Sequence, residues 1–164
     1  MNLRKTAILP PKFWISNFAS QLRAMSPHHL LVFAYLVTGP NSHISGLYRF
    51  DAHAAAEDTG LDEDEILKIL ADLQSLGWCD YESRIVWIRG LGNMLDQLGG
   101  TLASHELWAI NLLDYIERFP DDLPIVAAFR LAHGLVGRSS KAEKAERRAR
   151  KEEAALGRRQ EARG

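Results

Sequence analysis

The sequence predicts a mainly α chain of α+β class: a winged helix-turn-helix with a small β-hairpin wing, followed by a C-terminal helical hairpin and a charged tail helix. Three observations predict it. Between residues 13 and 91, helical and strand-like periodicities follow one another as helix, strand, helix, turn, helix, hairpin, the order of a winged helix. The stretch AAAEDTGLDEDEILKILADLQSLGW joins a small-residue helix, a glycine turn and a longer amphipathic helix. Beyond residue 137, Leu156 and alanines are the only apolar residues between Lys141 and Gly164, and charged side chains dominate.

Each element has its local reason. Residues 1–12 read as an irregular arm, because Pro10-Pro11 blocks helix and sheet alike. Ser16 or Asn17 caps a short helix ending near Met25. Ser26-Pro27 then restarts a second, with Ser26 as N-cap and Pro27 at the first helical position. That helix is apolar on nearly every side from Leu30 to Val37, the pattern of a central buried helix, and Gly39-Pro40 stops it. SHISGLYRF is a short edge strand, and DAHAAAEDTG a short helix opened by Asp51 and closed by Gly60. In the next helix Leu61, Asp62, Glu65 and Ile66 have the spacing of a capping box with a hydrophobic staple, and Gly77 closes it. WCDYESRIVWIRG reads as two strands around a tight turn near Glu82-Ser83. The resulting organisation is an arm (1–12), a winged-helix domain (13–91), a Gly-rich linker (92–100), a helical hairpin (101–137) with Asp122 near the start of its second helix, and a basic tail (138–164), helical or disordered. In the tail, Glu143–Arg147 and Glu146–Arg150 stand at the four-residue spacing of helix-supporting pairs.

Composition narrows the function. The chain has 164 residues, and its longest apolar run, Leu30 to Val37, has eight, far short of the roughly 18 residues of a membrane span. No export signal is read at the N-terminus, and the single Cys79 has no partner for an internal disulfide, so a cytoplasmic setting is expected. Charge is uneven: residues 1–137 hold 10 Lys or Arg against 16 Asp or Glu, a net −6, whereas residues 138–164 hold 10 against 5, a net +5. His28, His29, His43, His53, His105 and His133 are scattered without metal-ligand spacing, and Cys79 sits in an apolar strand without an activating neighbour. No phosphate-cradling glycine loop is present. The reading is a non-enzyme with no catalytic residue, metal site or cofactor.

For DNA the electrostatics divide the chain. A helix in the major groove approaches phosphates on both sides, yet the first turn of the 62–76 helix carries Asp62, Glu63, Asp64 and Glu65, and Lys68 is its only cation. Base reading by that helix is disfavoured. The candidate nucleic-acid contacts are Arg49 on the strand, Lys68, Arg84 at the wing turn, Arg89 beyond it, and Arg138, Lys141, Lys144, Arg147, Arg148, Arg150 and Lys151 in the tail, with Arg4, Lys5 and Lys12 in the arm. Such contacts are salt-sensitive and read sequence poorly. The tail reads equally as a solubilising charged helix.

The pattern FW-x-x-N-F-x-x-x-L-x-x-M-SP, the buried helix with GPN beyond it, SGLYRF, TGLDEDEILKILADLQSLGW and IVWIRG together span residues 13–91. They resemble the winged-helix domain of phage and prophage replication initiation proteins, the replisome organisers, with SGLYRF before an acidic-capped helix as the most specific part. The resemblance implies a cytoplasmic, self-associating protein that works at DNA in replication start and helicase recruitment. The competing expectation is a winged helix used for protein contact, as a homo-oligomer or adaptor, which the acidic helix-turn-helix face and Trp14, Phe18, Trp78, Trp87 and Trp108 suggest. Core packing is the plainer account of most of those aromatics.

Overall fold

The computed structural model describes residue 9, residues 11–91 and residues 106–161. Most of the arm, including Arg4 and Lys5, the linker 92–100 and residues 101–105 at the start of the expected hairpin lie outside the described residues. The chain divides into two compact units, residues 1–100 and 101–164. The described residues are mainly helical, with a single three-stranded antiparallel sheet.

The first unit opens with a 3-10 turn, Pro11–Ile15, so regular structure begins inside the segment expected to be irregular. Proline at the first position of such a turn gives up no hydrogen bond. Helix α1 (Asn17–Met25) is capped by Ser16, whose Oγ accepts from the Ala19 N–H at 3.1 Å. Helix α2 (Pro27–Thr38) is capped by Ser26, with Pro27 in the first turn. Strand β1 (Leu47–Arg49) leads through Phe50 into α3 (Ala52–Thr59), where Asp51 accepts from the His53 and Ala54 N–H groups and Gly60 ends the helix at φ +74°. Helix α4 (Glu63–Ser75) and strands β2 (Cys79–Glu82) and β3 (Ile85–Ile88) follow.

The sheet order is β1-β3-β2, which makes β1 an edge, as its sequence suggested. Register pairs Val86 with both Tyr48 and Tyr81, and Ile88 with Cys79, so these share one face. That face meets the helices: Tyr48 Oη donates to the Leu36 carbonyl of α2 at 2.6 Å, and Cys79 Sγ lies 3.9 Å from the Leu70 carbonyl of α4. Leu22, Leu36, Ile66, Leu70 and Leu73 are buried in the same core, and all four β3 side chains are buried. Gly46, at φ +80°, leaves only 2.8 Å between a would-be Cβ and the Ile88 carbonyl oxygen, so no side chain fits where β1 begins.

Two local expectations change. The hairpin turns at Ser83-Arg84, one residue later than expected, because β3 must keep Arg49 opposite Ile85 and the Arg84 carbonyl opposite the Phe50 N–H at 2.8 Å. The capping box of α4 does not form. Asp62 is the N-cap but makes no side-chain cap bond, and the Glu65 carboxylate lies 2.5 Å from His28 Nδ1 of α2 instead. A carboxylate committed to a neighbouring helix cannot also reach back to the helix start.

The second unit contains α5 (Glu106–Ile116), α6 (Pro124–Ala132) and α7 (Ser140–Glu161). Asp122 stands near the start of α6, as expected; Leu123 is the N-cap, and it makes no side-chain cap bond. Leu113, Ile116, Val126 and Phe129 form the core between α5 and α6. The tail is helical through Glu161 and is fastened at its start. Ser139 Oγ accepts from the Ala142 N–H, and the Glu117 carboxylate accepts from the Ser140 N–H at 2.8 Å and from its hydroxyl at 2.6 Å.

Candidate nucleic-acid interface

The expected contacts fall into three groups by the element that carries them. Arg49 and Arg84 lie at one end of the sheet, because Arg49 pairs with Ile85 and Phe50 with Arg84. Arg84 occupies the second place of a two-residue hairpin turn, and both turn residues have positive φ, +50° at Ser83 and +61° at Arg84. That is the type I′ geometry that favours Asn-Gly. Two side chains that disfavour this conformation keep a guanidinium at the tip of the hairpin. Arg84 is exposed and has no ion-pair partner among the described residues.

Arg89 sits at the other end of the hairpin and is already engaged. It holds Asp80 through two bonds, 2.7 Å and 3.1 Å, and its guanidinium lies 5.0 Å over the Trp87 ring. Asp80 and its hydrogen bond raise the Arg89 pKa, which keeps the charge but spends the donors inside the protein. Lys68 is exposed on α4, one turn after the equally exposed Asp64.

Three acids of α4, Glu63, Glu65 and Asp72, stand beside histidines that sequence patterning did not reveal. Glu65 meets His28 at 2.5 Å, Asp72 meets His29 at 3.1 Å, and Glu63 stands 3.5 Å from His53, which is also 3.7 Å from Glu57. Three histidines of the six thus tie α2 and α3 to α4. The available signal was the adjacency of His28-His29 on one helix and the seven-residue spacing of Glu65 and Asp72, which places both acids on one face of another. Among the described residues no cluster of three His, Cys, Asp or Glu side chains could hold a metal ion. Cys79 is fully buried, and burial pushes its thiol up to about 12.

The tail cations form the third group. Lys144 Nζ pairs with Asp114 of α5, and Arg138 Nε donates to Glu143 at 2.8 Å. Glu143 is therefore bound to Arg138 rather than to Arg147, since the turn before α7 brings Arg138 back over the helix start. Glu146–Arg150 forms as expected, at 3.8 Å, and Arg148 pairs with Glu152 at 3.0 Å. Lys141 and Lys151 are exposed and have no ion-pair partner among the described residues. The hydrogen bonds from Lys144 and Ser140 hold the Asp114 carboxyl below the usual carboxylate range, and those from Ser140 do the same for Glu117.

No family model, curated protein or solved structure matches the chain. The geometry alone therefore bears on what these groups do. The hairpin tip and the tail helix each present exposed cations, while α4 presents acids, of which Glu65 and Asp72 are hydrogen-bonded to histidines. Among the described residues, no helix is long and apolar enough to cross a membrane.

Proposed function

We propose that the first unit is a winged helix-turn-helix, with α3 and α4 around Gly60 as the helix-turn-helix and β2-β3 as the wing, and that the chain binds DNA in the manner of phage replication initiation proteins. In this reading α4 is a support. The contacts come from the wing tip at Arg84 with Arg49 nearby, from Lys12 and the arm, and from the tail. The observation that carries the reading is the tail itself: a 22-residue helix rich in Lys and Arg, fastened at its start by Glu117, with Lys141, Lys144, Arg148, Arg150 and Lys151 exposed. A helix with so little apolar surface gains little from packing, so its order and charge are most simply used on a polyanion. Self-association and recruitment of a replicative helicase belong to the same proposal.

The test is a mobility shift of the whole chain on labelled DNA at rising salt. Binding at low salt that fades as salt rises, and that is lost when residues 138–164 are removed, is the expected result. Absence of any shift at low salt refutes it.

A second reading, a winged helix used for protein contact, has its own support. Trp14 is 48% exposed and Ile15 84% exposed, side by side on the 3-10 turn. Exposed apolar neighbours of this size suit a protein surface. Light scattering that finds a strict monomer at every concentration removes the self-associating form of this reading.

A further inference from the structure

We infer that α7 holds one phosphodiester backbone along a single seam of cations, from outside, without entering a duplex groove. The inference rests on the nucleic-acid reading above and specifies how the tail serves it. In linear sequence the tail's acids and bases look interspersed. On the helix four of the bases line up. Lys141, Lys144, Arg148 and Lys151 follow one another at spacings of three, four and three, which puts all four on one face. Glu146 and Glu153, seven apart, lie on the opposite side, where Arg150 is held by Glu146. At about 1.5 Å per residue the seam runs roughly 15 Å from Lys141 to Lys151.

What flanks the seam decides how it can be used. Along one side lies the line that packs on α5: Ser140 is buried, Glu143 and Arg147 are half-buried, and Lys144 is tied to Asp114. Along the other side stands Glu152, paired with Arg148. An α-helix is about 10–12 Å across and the major groove about 12 Å wide, so a helix lying in the groove brings both flanks to phosphates. Here one flank is an acid-bearing neighbour helix and the other a glutamate. Among the described residues the exposed strip between them is positive, and it fits one line of phosphates. Lys141 and Lys151 are available at once. Arg148 can exchange Glu152 for a phosphate, because both members of that pair are exposed and such pairs contribute little.

The test uses the full chain and its Lys141→Ala/Arg148→Ala/Lys151→Ala variant. Alanine favours helix, and circular dichroism verifies that α7 is retained. Binding of polynucleotides of different base composition, single-stranded and duplex, is measured across a salt series. Loss of three phosphate contacts makes the slope of log affinity against log salt shallower by about 2.7 on duplex or about 2.1 on single strands. The loss is expected to be equal for all base compositions, while Glu146→Gln/Glu153→Gln on the back face leaves the slope unchanged. An effect on single strands alone assigns the seam to unpaired backbone; an effect on both assigns it to any backbone. The inference is overturned, with the DNA-binding proposal intact, if the parent binds and the triple variant keeps its slope, or if the seam alters base preference. It is also overturned if polyglutamate competes as well as polynucleotide, which makes the partner an acidic protein. If the parent binds no nucleic acid at low salt, both fall together.

Discussion

Replacing Ser83-Arg84 by Asn-Gly should make the first unit more stable and its nucleic-acid binding weaker. Both turn residues sit at positive φ without being glycine, and an L residue in the left-handed region costs about 1–2 kcal/mol. Glycine at position 84 removes that cost but adds freedom to the unfolded chain, which takes back about 0.4–1 kcal/mol. Asparagine at position 83 tolerates the conformation better than serine and adds a few tenths. The net gain is about 1 kcal/mol, or roughly 4–8 °C in Tm for a domain of this size. Thermal unfolding followed by circular dichroism measures it, and a salt titration on DNA measures the companion effect, a slope shallower by about one contact. A Tm that is unchanged or lower refutes the reasoning, because it means that the Arg84 side chain stabilises the turn it occupies. A higher Tm with unaltered DNA affinity leaves the strain argument standing and removes Arg84 from the interface.

Asp51→Ala should cost about 1 kcal/mol, because Asp51 caps two N–H groups of α3. Asp62→Ala should be nearly neutral, since Asp62 makes no side-chain cap bond; equal losses in chemical denaturation would contradict this contrast. Asp114 and Glu117 have lowered carboxyl pKa values in the folded chain, so their contribution to seating α7 is complete above the ordinary carboxylate range and is lost as pH falls through the lower folded values. Glu117→Gln should lower the stability of the second unit at neutral pH and flatten its acid dependence, as read from melting curves between pH 3 and 7. The Cys79 thiol, pushed up to about 12 by burial, should resist thiol reagents at pH 8 in the native chain and react on unfolding; fast native labelling would contradict its burial.

Short-range chemistry was the legible part of the fold. Ser16, Ser26 and Asp51 each cap N–H groups two or three residues away, so sequence spacing contains the whole interaction. Asp62 and Glu65 have the same local signature, but the outcome there was set by His28, 37 residues distant from Glu65. The hairpin turn shows the same division: strand composition announced it, and pairing with β1 moved it one residue along. The seating of the tail depends on Glu117, 23 residues before Ser140, and no local pattern announces it. Of the candidate contacts, the position of Arg84 at the turn was readable, whereas the prior commitment of Arg89 to Asp80 and Trp87 was not. The cation seam was present in the spacing of Lys141, Lys144, Arg148 and Lys151 all along, hidden by the acids written between them.

The sheet also governs how this chain can meet its own kind. A strand edge with free N–H groups is a template for adding another strand and, repeated, for fibres. Both edges here are blunted. β1 has three residues and ends at the exposed Arg49, and on β2 the Tyr81 N–H is taken by Gln74 Oε1 at 3.2 Å. Recruitment of a further strand is thereby discouraged from either side, so copies of the chain can crowd together with little risk of templating cross-β aggregates through this sheet.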